Sequence, residues 1–95
     1  MQVKHFVVVA YDISDDRVRN RVYNELKNYG DHVQLSVFEC LLDEEKYQEL
    51  KAELEKVIED HEATVRFYKI CQSCVERSEI IGDGTFAHDA DIYVA

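Results

Sequence analysis

The run Phe6-Val7-Val8-Val9-Ala10, flanked by His5 and Tyr11, constrains this chain most: a short, continuous apolar and β-branched segment is the pattern of a central strand buried on both faces. It ends at Asp12-Ile13-Ser14-Asp15-Asp16, where Ser14 or Asp15 suits a helix N-cap. Val18, Val22, Leu26 and Tyr29 then recur at helical spacing, and Gly30 is expected at the C′ position that ends the helix. Strand, polar loop, helix is the resulting order.

From Val33 to Leu42 the chain reads as extended, with Val33, Leu35 and Val37 on one face and Gln34, Ser36 and Phe38 on the other. One bent strand and a tight hairpin both remain open, since no Gly, Asn or Pro marks a turn. Asp43 is placed to cap a second helix, whose stripe is Tyr47, Leu50, Leu54, Val57 and Ile58. Thr64 to Ile70 alternates and is rich in aromatic and β-branched residues, so it is a strand, followed by Cys71-Gln72-Ser73-Cys74 as a loop. Residues 79–84 read as a short strand and turn. The apolar end, Ile92-Tyr93-Val94-Ala95, is expected to add a strand to a neighbouring subunit's sheet.

This order predicts an α+β fold, a ferredoxin-like βαββαβ sandwich over residues 1–81, with 82–95 as a C-terminal extension carrying an extra strand. Two helices on one side leave the other sheet face uncovered, and a sheet-to-sheet homodimer would bury it. At 95 residues the chain is one domain that gains much from a partner subunit. Nothing resembles an export signal and no apolar run approaches the ~20 residues of a membrane helix, so a cytoplasmic protein without membrane association is expected.

The net charge of −9 argues against a generic polyanion binder only if it is evenly spread. It is not. Residues 1–38 hold five basic and five acidic side chains, residues 39–62 hold three basic and ten acidic, and residues 63–95 hold three and five. The second helix and its flanks carry most of the acidity, whereas the first helix contains Arg17, Arg19 and Arg21.

Asp12 sits where a buried strand ends, a position from which a carboxylate can face a cleft while its backbone is held rigidly. A single carboxylate is a poor hard-cation site, but two copies meeting across a dimer axis suit Mg²⁺ or Mn²⁺. Strand termination and helix capping are the plainer account of Asp12, Asp15 and Asp16. Arginines beside a carboxylate loop are what phosphodiester hydrolysis needs for the charge that develops. Ordinary ion pairing with Asp15, Asp16 or Glu25 is the plainer account. Cys71 and Cys74 form a lone C-x-x-C, short of the four ligands of a zinc site, and are expected as reduced, partly buried thiols. An odd total of three cysteines is unlike a secreted disulfide framework.

Tyr11-Asp12-Ile13-Ser14 followed by the Arg-containing helix, Tyr29-Gly30, and then Val33-Gln34-Leu35-Ser36-Val37-Phe38-Glu39 are similar to the CRISPR-associated protein two family. The aromatic strand at 64–70, the C-x-x-C after it, Ile81-Gly82 and the apolar C-terminus also look like the family, so the resemblance covers essentially the whole chain. It implies a ferredoxin-like homodimer with exchanged C-terminal strands, metal-dependent phosphodiesterase activity on RNA or DNA, and assembly with the CRISPR integrase in spacer acquisition. Matched residue by residue, it implies Asp12 as the metal-binding acid, Tyr11 as its neighbour, Arg19 and Arg21 as the helix arginines, and Phe38 as the aromatic of the S-V-F block. A position often basic in the family is His32 here, only partly charged near neutral pH.

Three readings follow: a Mg²⁺-dependent endonuclease; a non-catalytic dimeric scaffold that bridges integrase subunits and protospacer DNA; and a small metal- or thiol-sensing module built on Cys71 and Cys74. A depressed thiol pKa or stoichiometric zinc would favour the last.

Overall fold

A computed structural model of the chain describes residues 3–84 and 86. The elements run β1 (Lys4–Ile13), α1 (Asp16–Leu26), β2 (Gly30–Gln34), β3 (Val37–Asp43), α2 (Glu44–Ile58), β4 (Ala63–Ile70) and α3 (Gln72–Glu76). The strands form one four-stranded sheet in the order β2-β3-β1-β4, with every neighbouring pair antiparallel. Each strand-helix-strand unit therefore returns with a strand of the other unit between its own two, which is the split βαβ arrangement of the ferredoxin-like sandwich.

The apolar run became a central strand, flanked by β3 and β4, with side chains buried on both faces over its first half. Val7, Val9, Tyr11 and Ile13 point into the helix layer and meet Val18, Val22 and Leu26 of α1 and Leu50, Leu54 and Val57 of α2. Phe6 points the other way, where Leu41 and Val75 close a smaller cluster with Val8, Ile70 and Phe86 packed on it. Asp15 caps α1, its Oδ1 accepting from the N–H groups of Arg17 at 2.9 Å and Val18 at 3.0 Å. Asp43 caps α2 in the same way, accepting from the Lys46 N–H at 2.8 Å.

Those two Val18 and Arg17 donors, the Val18 bond first, hold the Asp15 carboxyl below the usual carboxylate range. A carboxyl whose pKa is lower folded than unfolded contributes stability above the unfolded value and loses it as pH falls through the folded one. Asp15→Ala is accordingly expected to lower the urea midpoint at neutral pH, with the gap to the parent chain closing in acid.

Several expectations are corrected. Helix α1 ends at Leu26 with Lys27 as C-cap, so Gly30 is no helix terminator but the first residue of β2. Its glycine character answers a close approach: a Cβ there would lie 2.4 Å from the Glu39 carbonyl oxygen and 2.5 Å from Cys40 Sγ. Gly30→Ala should cost roughly 1–3 kcal/mol through strain in the β2–β3 pairing, measurable by urea unfolding.

The segment 33–42 resolves as a hairpin, with Leu35 and Ser36 at the turn and a register irregularity between His32 and Gln34. That turn breaks the expected alternation. Leu35 is 93% exposed, whereas Phe38, placed with Gln34 and Ser36 by simple alternation, is fully buried in the helix-side core. Residues 79–81 form no strand, and the C-x-x-C is not a loop: Cys71 is the N-cap of α3. The C-terminal strand expected at 92–95 lies outside the described residues. Among the described residues no helix is long and apolar enough to cross a membrane.

Candidate active site

Side-chain alternation along β1 decides what Asp12 can do. Tyr11 and Ile13 are each 5% exposed and face α1 and α2, which directs Asp12 to the opposite face of the sheet, beyond the Phe6 cluster, where it is exposed. On that face Val8 stands beside Tyr68, Ala10 beside Arg66 and Val37, and Asp12 beside Thr64. Ala10, Tyr11, Asp12, Thr64 and Arg66 line a shallow cavity of about 110 Å³. Arg66 Nη1 lies 3.4 Å from the Tyr68 hydroxyl oxygen. The acid therefore opens onto a surface of mixed apolar and charged character.

The end of β1 is tied to the β2–β3 turn. The Tyr11 N–H donates to the Ser36 carbonyl at 3.0 Å and the Tyr11 hydroxyl donates to the Leu35 carbonyl at 3.3 Å, tying the β2–β3 turn to the residue before Asp12. His32 Nε2 approaches the same Leu35 carbonyl at 3.2 Å, and an oxygen that can only accept requires the Nε2–H tautomer for that bond. Burial, then the neighbouring Tyr23, pushes the Tyr11 phenol above its ordinary value, against a smaller opposing effect of Arg19. Tyr11 is therefore a neutral anchor near pH 7.

Phe38 lies beneath this turn, its ring centroid 5.0 Å from His32, 5.6 Å from Tyr23 and 6.4 Å from Tyr11. With no exposure it cannot stack on a nucleobase from this position. What it does is pack the rings that hold the turn.

The helix arginines divide. Arg19 Nη1 donates to the Ile13 carbonyl at 2.9 Å and Nη2 pairs with Asp16, so its guanidinium closes the loop between β1 and α1 from the first turn of the helix. Arg17 and Arg21 are exposed. Arg19 and Arg21 do point apart, as ~100° per residue requires. Among the described residues no cluster of three or more His, Cys, Asp or Glu side chains forms a metal cage. Asp12 is the one carboxylate among the residues lining its cavity.

Thr64 and Arg66 were not recognisable as neighbours of Asp12. Alternation in β4 separates Thr64, Arg66 and Tyr68 from Val65 and Phe67, but which residue of β1 each opposes is a matter of strand register, for which residue spacing carries no signal.

A four-stranded antiparallel sheet of order β2-β3-β1-β4, two helices on one face and an exposed acid at the end of the central strand define a ferredoxin-like α+β protein with a candidate acidic site on its open face. Residues 5–78 match the family described as CRISPR associated protein Cas2. The chain is 42% identical over 91 residues to the CRISPR-associated endoribonuclease Cas2 1 of Chloroflexus aurantiacus, covering 94% of this chain and 98% of that protein. It superposes on the crystal structure of a hypothetical protein from Thermus thermophilus with a TM-score of 0.76 at 36% identity, over 90% of this chain and 99% of that one. A chain of a partial Cas6-RT-Cas1–Cas2 complex gives a TM-score of 0.72 at 27% identity, over 82% of this chain and 84% of that one. This chain belongs to the Cas2 family.

Proposed function

We propose that the chain is a metal-dependent phosphodiester hydrolase of RNA or DNA that works as a homodimer in CRISPR adaptation, in the cytoplasm and beside the CRISPR integrase. The observation that carries this reading is the exposed Asp12, presented between two buried residues at the end of the central strand on the sheet face that α1 and α2 leave open. Packing that face on a second copy covers Val8, Ala10 and Val37 and brings both Asp12 carboxylates to one interface. The nuclease name of the Chloroflexus relative and the Cas1–Cas2 complex among similar structures support it.

A carboxylate from each copy, completed by water, suits Mg²⁺ or Mn²⁺, whereas one alone does not. Such a cation, when bound, supplies polarisation of the phosphoryl group and an acidified water. The chain's own residues do the rest. Arg21, exposed on α1, offers a guanidinium fork to phosphate oxygens. Arg19 keeps the β1–α1 loop rigid, and Tyr11 with Phe38 holds the strand end in place, so that Asp12 needs no reorganisation on binding.

The test is cleavage of single-stranded RNA and duplex DNA with Mg²⁺ and with EDTA, by the parent chain and by Asp12→Ala. Cleavage that survives both EDTA and the substitution belongs to a contaminating nuclease and removes the reading. A second reading, a non-catalytic scaffold for protospacer DNA and the integrase, is favoured by the engagement of Arg19 in its own loop, which leaves less charge for catalysis. It predicts that Asp12→Ala retains spacer acquisition, whereas deleting residues 92–95, or the pair Arg19→Glu and Arg21→Glu, abolishes it.

A further inference from the structure

The three cysteines occupy two different chemical settings. Cys40 is buried in the helix-side core, where burial pushes its thiol up to about 12. It is inert at neutral pH. Cys71 and Cys74 are both exposed, one at the N-cap of α3 and the other within it. Their backbones are locked together: the Cys74 N–H donates to the Cys71 carbonyl at 3.0 Å, and the Val75 N–H donates to the same oxygen at 3.0 Å. Val75, 5% exposed, anchors the turn on Phe6 and Leu41, and the Ser78 hydroxyl donates to the Cys74 carbonyl at 2.7 Å.

Polar groups converge on both sulfurs. The Ser73 hydroxyl lies 3.2 Å from Cys71 Sγ, and Arg77 Nη2 points at Cys74 Sγ from 3.8 Å. The Ser73 hydroxyl first, then the Cys74 thiol and amide, bring the Cys71 thiol down to about 7. An exposed thiol that is half ionised at neutral pH, with a second thiol held on the same turn, is the arrangement thiol–disulfide exchange needs.

We propose that Cys71 and Cys74 form a redox-active dithiol that exchanges with small-molecule disulfides such as oxidised glutathione. The Cys71 thiolate attacks one sulfur of the disulfide, forming a mixed disulfide and expelling one glutathione thiolate. Cys74 then gives up its proton to solvent and attacks Cys71 Sγ, closing the intramolecular disulfide and expelling the second glutathione thiolate. One protein dithiol is oxidised and one glutathione disulfide is reduced to two thiols, so the exchange balances. Nothing in it depends on the nuclease reading, because the pair follows β4 at the end of the sheet opposite Asp12: Ile70 opposes Phe6, whereas Thr64 opposes Asp12.

Intact mass after incubation of the full chain with oxidised glutathione tests this, together with the pH dependence of iodoacetamide alkylation. The parent chain is expected to lose the mass of two hydrogens and keep no glutathione. Cys74→Ser should trap one glutathione on Cys71, and Cys71→Ser should react far more slowly. Both substituted side chains are exposed, so the variants are expected to fold. Alkylation of Cys71 should be half-maximal near pH 7 and roughly fivefold faster at neutral pH than that of an ordinary exposed thiol, the gain in thiolate outweighing its lower nucleophilicity. A midpoint at the ordinary thiol value overturns the proposal. So does retention of glutathione by the parent chain, or stoichiometric zinc held by the pair in purified protein.

Discussion

Asp12→Asn is expected to lower Mg²⁺-dependent cleavage by at least about a hundredfold, since loss of a direct cation ligand should exceed the 10–100-fold cost of losing an outer-shell partner. The same change should leave stability within about 0.5 kcal/mol, as for surface substitutions that touch no packed feature. Asp12 is exposed, its backbone stays in the ladder opposite Thr64, and the amide has the same shape as the carboxylate. Cleavage assays across a Mg²⁺ titration, paired with urea unfolding of the same preparation, separate the two effects. A variant that cuts as the parent does, or one that unfolds readily, removes Asp12 from the role proposed for it.

Phe38→Ala should act the other way round, through the fold. Deleting a fully buried phenylalanine costs roughly 3–5 kcal/mol, against a total of about 5–15 kcal/mol for a domain of this kind. At roughly 4–8 °C per kcal/mol for a chain this size, the melting temperature falls by at least about 12 °C. The ring fills the space between Tyr11, Tyr23 and His32, so its loss also frees the turn that holds the end of β1. Leu35→Ala, three residues away but almost wholly exposed, is the matched control and should leave the melting temperature nearly unchanged. Differential scanning calorimetry of the two variants reads the contrast directly.

These predictions separate two kinds of site residue that look alike in sequence. Tyr11, Arg19 and Phe38 surround Asp12 along the chain pattern, yet all three act inward: Tyr11 on the Leu35 carbonyl, Arg19 on the Ile13 carbonyl and Asp16, and Phe38 on the ring cluster. Under the proposed function they are positioning groups, and Asp12 and Arg21 are the side chains that meet a ligand. The acidic helix agrees with this division. Within it Lys46 pairs with Glu49 and Lys56 with Glu53, and Lys69 Nζ lies 3.1 Å from Glu44 Oε1 and 4.1 Å from the Tyr47 ring centroid. Binding of a polyanion should therefore be local to the neutral N-terminal third and weaken as salt rises.

Local pattern alone determined much of this protein. The apolar run of β1, the caps Asp15 and Asp43, the two helix stripes and the aromatic alternation of β4 all encode structure through near neighbours, where spacing of two or of three and four is decisive. The motifs at 11–22 and 33–39 were likewise enough to indicate the family to which the chain belongs. Only the tertiary structure decided the hairpin at Leu35-Ser36, which reverses the face of Phe38, and the reason for Gly30, whose neighbour Cys40 lies across the β2–β3 pair. It also decided which residues share a surface with Asp12, and that Cys71 and Cys74 stand exposed on one rigid turn. Such facts depend on register and on contacts between residues far apart in the chain, where a one-residue slip reverses which face each side chain takes.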